Sequence, residues 1–184
     1  MKCTRIISFA FLVFFFQCTF AQSDINSANW RFTAFKDFEQ QDPGLGVGYE
    51  FVLGSARADI FFYGLQREWR EGIDDPKIAQ VMDQSSHDVF LAERLGYYKD
   101  VYADPAKVIV IAGKKFWNQA FKYFQNGVAK ISKLYLTGMN GKLLKYRISA
   151  PVEMGPEFES SSNQLIEYSL TPGTEFDRPW LSKK

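Results

Sequence analysis

Two Asn-Gly pairs constrain the fold of this chain more than any other feature of its sequence. Asn126-Gly127 and Asn140-Gly141 are strong signals for tight β-turns, because both residue types tolerate a positive φ. Apolar residues alternate with polar residues before, between and after the two pairs, which is typical of half-buried strands. Residues 117–149 are therefore predicted to form three antiparallel strands.

The apolar pattern also predicts how these strands pair. The first turn fits a two-residue loop, which places Phe121 opposite Ser132. At the second turn, a two-residue loop would place Leu136 opposite Lys145, whereas a three-residue loop places Leu136 opposite Leu144. A slip of one residue moves every side chain to the other face of the sheet, so the match between leucines favours the three-residue loop.

In that register the basic side chains of the three strands gather on one face of the sheet. The candidate binding residues on this face are Lys122, Lys133, Tyr135, Lys145 and Arg147. Residues 101–150 carry nine Lys or Arg and a single Asp. This face is expected either to attract an acidic partner, a protein or an envelope component rather than nucleic acid, or to be a solvated face or a sheet edge protected by lysines.

The first 21 residues have the pattern of a signal peptide. Basic residues precede an apolar run at 6–16 that is too short to span a bilayer comfortably. Cleavage is expected between Ala21 and Gln22. The mature chain is then predicted to be periplasmic or secreted, without a transmembrane segment.

Cysteine use supports an exported bacterial protein without thiol chemistry. Cys3 and Cys18 both lie in the predicted signal peptide. Lipidation at Cys18 is the less favoured alternative, because the residues before it lack the small side chains of a lipoprotein signal. The mature chain has no thiol for catalysis or metal binding. It also has neither disulfides nor an Asn-x-Ser/Thr acceptor, which favours a bacterial periplasm.

The remaining patterns predict a single α+β domain over residues 22–184, with an ordered core at about 30–172. Asp75 is expected to cap a helix of roughly twenty residues that ends at Gly96, and a shorter helix is expected at 156–170. Further strands are predicted at 30–36, 46–53, 58–65 and, as a buried strand, 108–112. The expected architecture is a sandwich of a mainly antiparallel sheet of about seven strands with two helices.

Few residues are candidates for catalysis. His87 is the only histidine, and helical spacing places it about 180° from Ile78, on the face away from the apolar stripe. Four acids crowd the segment before the first helix: Glu68, Glu71, Asp74 and Asp75. They are expected to favour the start of the helix, with a calcium site or a carboxylate pair of a hydrolase as alternatives. No catalytic residue, metal or cofactor is assigned.

The order of these elements resembles the Mog1/PsbP-like fold. The segment DPGLGVGYEF is similar to the N-terminal hairpin of PsbP-type domains, and LYLTGMNGKLLKYRIS resembles a segment of small exported bacterial proteins. The resemblance implies an antiparallel sheet between helices and a non-enzymatic role in binding or assembly. It transfers no functional residue to this chain, because fold alone does not give function.

Three hypotheses for the function follow from the sequence. The first is an exported binding or accessory protein that contacts an acidic partner through the basic sheet face. The alternative is a carboxylate-dependent hydrolase of the cell envelope that uses His87 or the acids at 68–75. The third is a structural envelope subunit without a small ligand.

Overall fold

A computed structural model describes residues 30–37, 46–63 and 68–171 of the chain. The predicted signal peptide, with both cysteines, and the tail from residue 172 lie outside the described residues. Eight strands and two α-helices are found in the described ranges. They are β1 (Arg31–Asp37), β2 (Val47–Leu53), β3 (Ala56–Tyr63), α1 (Pro76–Arg94), β4 (Lys99–Ala103), β5 (Lys107–Ile111), β6 (Lys114–Gln125), β7 (Val128–Met139), β8 (Lys142–Pro151) and α2 (Gly155–Leu170).

The strands form one antiparallel sheet between two helices. Its order is β1-β2-β3-β8-β7-β6-β4, and β5 pairs with the same outer edge of β6 as β4 does. The predicted α+β sandwich is confirmed, with one more strand than expected, β4. Neither α1 nor α2, the two α-helices in the described ranges, is long and apolar enough to cross a membrane.

Both helices begin and end where the sequence predicts. Asp75 caps α1 through its side chain, which accepts a hydrogen bond of 3.0 Å from the backbone N–H of Lys77. Pro76 follows in the first turn, where a missing N–H leaves no bond unmade. Gly96, with a φ of 80°, provides the left-handed residue that ends the helix.

Each helix packs on one face of the sheet, and the two faces contribute to separate apolar cores. On the α2 side, Phe158 and Leu165 of α2 pack with residues such as Phe51, Ile60 and Tyr146 of the strands. On the α1 side, the core consists of Ile78, Met82 and Val89 of α1 with Phe121, Leu134, Leu136 and Leu143 of the strands. The central strands β7 and β8 therefore carry apolar side chains on both faces.

The first of the two Asn-Gly hairpins has the predicted register, and the second does not. Phe121 pairs with Ser132 across the first turn, as expected. Across the second turn Leu136 pairs with Lys145, and Leu144 pairs with Thr137. The prediction of a three-residue loop is therefore wrong.

The backbone of the second turn explains this register. Asn140 and Gly141 have φ angles of 51° and 73°, as in a two-residue type I′ turn, whose twist matches that of the flanking strands. The leucine match was a poor guide because both faces of β8 are covered. With two apolar faces, either register buries leucines.

The strand predicted to be buried at 108–112 is instead an edge strand. In β5, Val108 is 44% exposed and Val110 is 64% exposed, whereas Ile111 is buried. Among the described strands β5 pairs only with β6, and only its alternate residues Ile109 and Ile111 pack against the core on the α2 side. Its neighbour β4 was not predicted because its sequence, KDVYA, has no regular alternation and its pairing with β6 is irregular.

Candidate functional site

The five predicted binding residues do not share one face of the sheet. Lys122, Lys133 and Tyr135 lie on the α2 side, whereas Lys145 and Arg147 lie on the α1 side. The reason is the two-residue turn, which shifts β8 by one residue relative to the predicted register. The single basic face is therefore a wrong prediction, and its members have to be considered as two groups.

Two of the three residues on the α2 side, Lys133 and Tyr135, are buried. Lys133 is 8% exposed and forms an ion pair with Glu159 of α2. Its Nζ also lies 5.8 Å from the centre of the Phe158 ring, a favourable position for a cation over an aromatic face. Tyr135 is 1% exposed, and its burial raises the pKa of its hydroxyl. Lys122 alone of this group is exposed.

The group on the α1 side lines a cavity. This cavity has a volume of about 40 Å³ and lies between α1 and strands β6, β7 and β8. Its polar lining consists of Ser85, Asp88, Ser132, Lys145 and Arg147. We call this set of five side chains the dibasic pocket. Apolar side chains complete the wall, so the charges are only partly in contact with solvent.

Hydroxyl groups hold the two cations of the dibasic pocket in place. Lys145 Nζ donates a hydrogen bond of 3.0 Å to Ser85 Oγ on α1. Arg147 Nη2 donates one of 3.1 Å to the hydroxyl of Tyr98, whose ring stacks on Tyr123 at 4.2 Å between centroids. These bonds orient the cations without neutralising them.

The electrostatic environment of the pocket disfavours a second positive charge. Partial burial lowers the pKa of Lys145, the neighbouring charge of Arg147 lowers it further, and Asp88 raises it by a smaller amount. Among the described residues, neither Lys145 nor Arg147 forms an ion pair within 4.0 Å with a carboxylate. Within the described part of the chain, two partly buried cations are thus placed side by side without a directly bonded counter-charge.

Asp59 of β3, which pairs with β8, lies near the dibasic pocket, but its carboxylate accepts hydrogen bonds from Arg57. Asp59 of β3 is the cross-strand partner of Arg147, but its Oδ1 accepts hydrogen bonds from Arg57 Nε and Nη2 at 3.4 and 3.5 Å. Burial raises the pKa of Asp59, although the charge of Arg57 and, by a smaller amount, that of Arg147 lower it. Asp59 is therefore paired mainly with Arg57 rather than with the pocket cations.

The acids before α1 have structural contacts. Asp75 is 1% exposed and accepts hydrogen bonds from the backbone of Lys77 and, at 3.3 Å, of Arg70. Glu71 accepts a hydrogen bond from the backbone N–H of Asn140 and one of 3.2 Å from Lys114. These contacts attach the segment to the second hairpin turn. Among the described residues, no group of three His, Cys, Asp or Glu side chains is placed to hold a metal ion.

His87 lies on the outer surface of α1, as its helical position predicted. It is exposed, and its Nε2 lies 3.3 Å from Nη2 of Arg94, one of the last residues of the helix. This contact involves two neighbours on the same helix. His87 is absent from the lining of the dibasic pocket.

Of the comparisons with known proteins, only the one with solved structures finds similar chains. No protein-family model and no curated protein sequence matches the chain. Among solved structures, it is similar to cyanobacterial PsbP (CyanoP) from Synechocystis sp. PCC 6803, with 11% identity and a TM-score of 0.45 over 76% of this chain and 81% of that one.

Two further solved structures are similar at a comparable level. The protein of unknown function PA94 from Pseudomonas aeruginosa has 15% identity and a TM-score of 0.39 over 67% of this chain and 78% of its own. LpqN from Mycobacterium tuberculosis, which is involved in cell envelope biogenesis, has 14% identity and a TM-score of 0.36 over 73% of each chain.

Sequence reasoning found the two cations of the pocket but not its other members. No sequence pattern marks Ser85, Asp88 or Ser132 as a member of a binding site. Each is an ordinary residue in its own element, and only the packing of α1 on β8 brings them together. The spacing of Lys145 and Arg147, two residues apart on one strand, was the one local signal.

Proposed function

We propose that the chain is an exported binding protein that accepts an acidic group of its ligand in the dibasic pocket. The observation that carries this proposal is the pair of partly buried cations, Lys145 and Arg147, with no carboxylate within ion-pairing distance among the described residues. Removing a charge from water is unfavourable unless an opposite charge compensates for it. A bound carboxylate or phosphate group would supply that charge.

The arrangement suits binding better than chemistry. Ser85 and Tyr98 hold the cations by single hydrogen bonds, which leaves donors of the ammonium and the guanidinium directed at other partners. A guanidinium next to an ammonium matches the oxygens of a carboxylate or phosphate group. Export follows from the predicted signal peptide and belongs to the same proposal.

Thermal unfolding with simple anions tests the proposal. Sodium acetate and sodium phosphate are titrated against sodium chloride at equal ionic strength, and the two arms distinguish a carboxylate from a phosphate site. A ligand that binds only the folded state stabilises it by about 2.7 kcal/mol at about 100 times its dissociation constant. The melting temperature is therefore expected to rise with acetate or phosphate, but not with chloride.

Paired variants identify the site. The double variant Lys145→Gln/Arg147→Gln is expected to lose the stabilisation by acetate or phosphate. The control Lys107→Gln/Lys122→Gln removes the same charge from exposed positions and is expected to retain it. Equal stabilisation of both double variants, or none in the unsubstituted protein, would refute the proposed site.

A further inference from the structure

Two exposed leucines, which we call the apolar strip, follow Asp88, a residue of the dibasic pocket, at helical spacing. Leu91 of α1 and Leu95, the residue that caps its C-terminal end, come three and seven residues after Asp88, so they lie on the same flank of the helix. They are 39% and 63% exposed. Leu95 is about 10 Å farther along the helix axis than Asp88, at a rise of about 1.5 Å per residue. Apolar surface thus extends from the site proposed for an acidic group.

We propose that the ligand is a carboxylate with a hydrocarbon chain, whose head enters the dibasic pocket and whose chain lies along Leu91 and Leu95. This inference rests on the proposed function and names its ligand class. Contact of the apolar Leu91 and Leu95 side chains with water is unfavourable in free energy. An amphiphilic ligand would cover them while its head compensates the charges of Lys145 and Arg147.

The size and the charge of the pocket favour a carboxylate over a larger or doubly charged head. A volume of about 40 Å³ is space for about three water molecules, which suits a carboxylate. The lining carries two cations, Lys145 and Arg147, and one acid, Asp88. A single negative charge would therefore complete the balance.

The backbone beside the pocket favours a hydrocarbon over a peptide. Strand β8 lies between β3 and β7, so its backbone groups are paired on both sides, and those of α1 are bonded within the helix. A peptide in this position would therefore gain no backbone hydrogen bonds from the protein. A hydrocarbon chain has no N–H or C=O groups to satisfy.

A series of fatty acids measures the contribution of the strip. Acetate, butanoate, hexanoate and octanoate are titrated into the full protein below their micelle concentrations, with heat of binding as the signal. A fully buried methylene strengthens binding about fourfold, and a chain covered on one side by the protein is expected to gain about twofold per methylene. Octyl phosphate and octanol test the head: both are expected to bind more weakly than octanoate.

Variants of the strip separate this inference from the proposed function. Leu91→Gln/Leu95→Gln is expected to reduce the gain per methylene to near unity while acetate binds as before. Val110→Gln, at a position 64% exposed on β5, is the control and should keep the gain. If acetate binds but its affinity does not increase with chain length, the hydrocarbon inference is wrong and the anion site stands.

Two other results would also overturn the inference. One is a gain per methylene that survives in Leu91→Gln/Leu95→Gln. The other is tighter binding of an apolar peptide with a free carboxyl terminus than of octanoate. If phosphate stabilises the protein but neither acetate nor octanoate binds, this inference is wrong and the anion site stands. If neither acetate nor phosphate binds, the proposed function is refuted, and this inference falls with it.

Discussion

Replacing Lys145 with methionine should stabilise the protein in the absence of ligand. Its ammonium is partly buried, and Arg147 adds a second positive charge on the same face of β8. The Cα atoms of residues two apart on a strand are about 6.7 Å apart, which sets the scale of the separation between the two charges. Two unit charges at that distance repel by about 0.6 kcal/mol in bulk water and by about 2.5 kcal/mol at an effective dielectric constant of about 20.

Desolvation and hydrogen bonding modify this figure in opposite directions. Desolvation of the ammonium is the larger cause of the lowered pKa of Lys145, and its removal adds to the gain. Loss of the bond to Ser85 reduces the gain by about 1 kcal/mol or somewhat more. Replacing buried ionic groups by apolar ones is often stabilising by about 1–4 kcal/mol. We expect the free energy of unfolding to increase by about 1 kcal/mol, because Lys145 is only partly buried.

The pH dependence of this difference has a definite sign. The pKa of Lys145 in the folded protein lies below its ordinary value of 10.5, so the unfolded chain binds more protons between those two values. The stability of the unsubstituted protein therefore rises with pH in that window. The electrostatic advantage of Lys145→Met is expected to be complete at neutral pH and to disappear as the pH approaches 10.5.

Urea unfolding at neutral pH, in a buffer without carboxylates or phosphate, measures the difference. Lys122→Met is the matched control. Lys122 is exposed on the α2 side of the sheet, and a change within about 0.5 kcal/mol is expected there. A Lys145→Met variant that is less stable than the unsubstituted protein, by more than the control, would refute the reasoning that the pocket cations oppose folding.

Three further predictions concern the surroundings of the site. Gly138→Ala would place a Cβ 1.7 Å from the carbonyl oxygen of Arg70, so urea unfolding should show a loss of about 2 kcal/mol or more. Asp75→Ala removes the side-chain cap of α1, and the same measurement should show a loss of about 1–2 kcal/mol. Burial raises the pKa of Tyr63 to about 12, so stability is lost as pH rises from 10 towards 12. In Tyr63→Phe this loss should be smaller, as measured by unfolding at each pH.

The sequence was sufficient for features that local chemistry determines. Asp75, Pro76 and Gly96 define the ends of α1 through a side-chain cap, a proline in the first turn and a left-handed glycine. The first Asn-Gly turn likewise fixes the pairing of β6 with β7. In each case the residues that determine the feature are close together in the chain, so the sequence alone predicts it.

The pairing of β7 with β8 could not be predicted from the apolar pattern, because the pattern does not show which faces of β8 are covered. Choosing it from the apolar match assumed that one face of β8 is covered and the other solvated. Leu144 packs on the α2 side, whereas Leu143 packs on the α1 side. Since both helices cover β8, the turn chemistry of Asn140 and Gly141 was the better guide. Which faces are covered is a tertiary property.

The pairing of β7 with β8 places Lys145 and Arg147 in a partly buried position where their charges are unfavourable. In β8, Leu144, Tyr146 and Ile148 join the apolar core on the α2 side, which turns Lys145 and Arg147 towards α1. Lys133, a buried lysine on the other face of the sheet, has Glu159 as its partner. In the dibasic pocket, by contrast, Lys145 and Arg147 are partly buried and form no ion pair with a described carboxylate. Natural sequences are consistent at most positions and depart from consistency mainly at functional sites, so a conflict of this kind favours a site kept for a ligand over a merely tolerated defect.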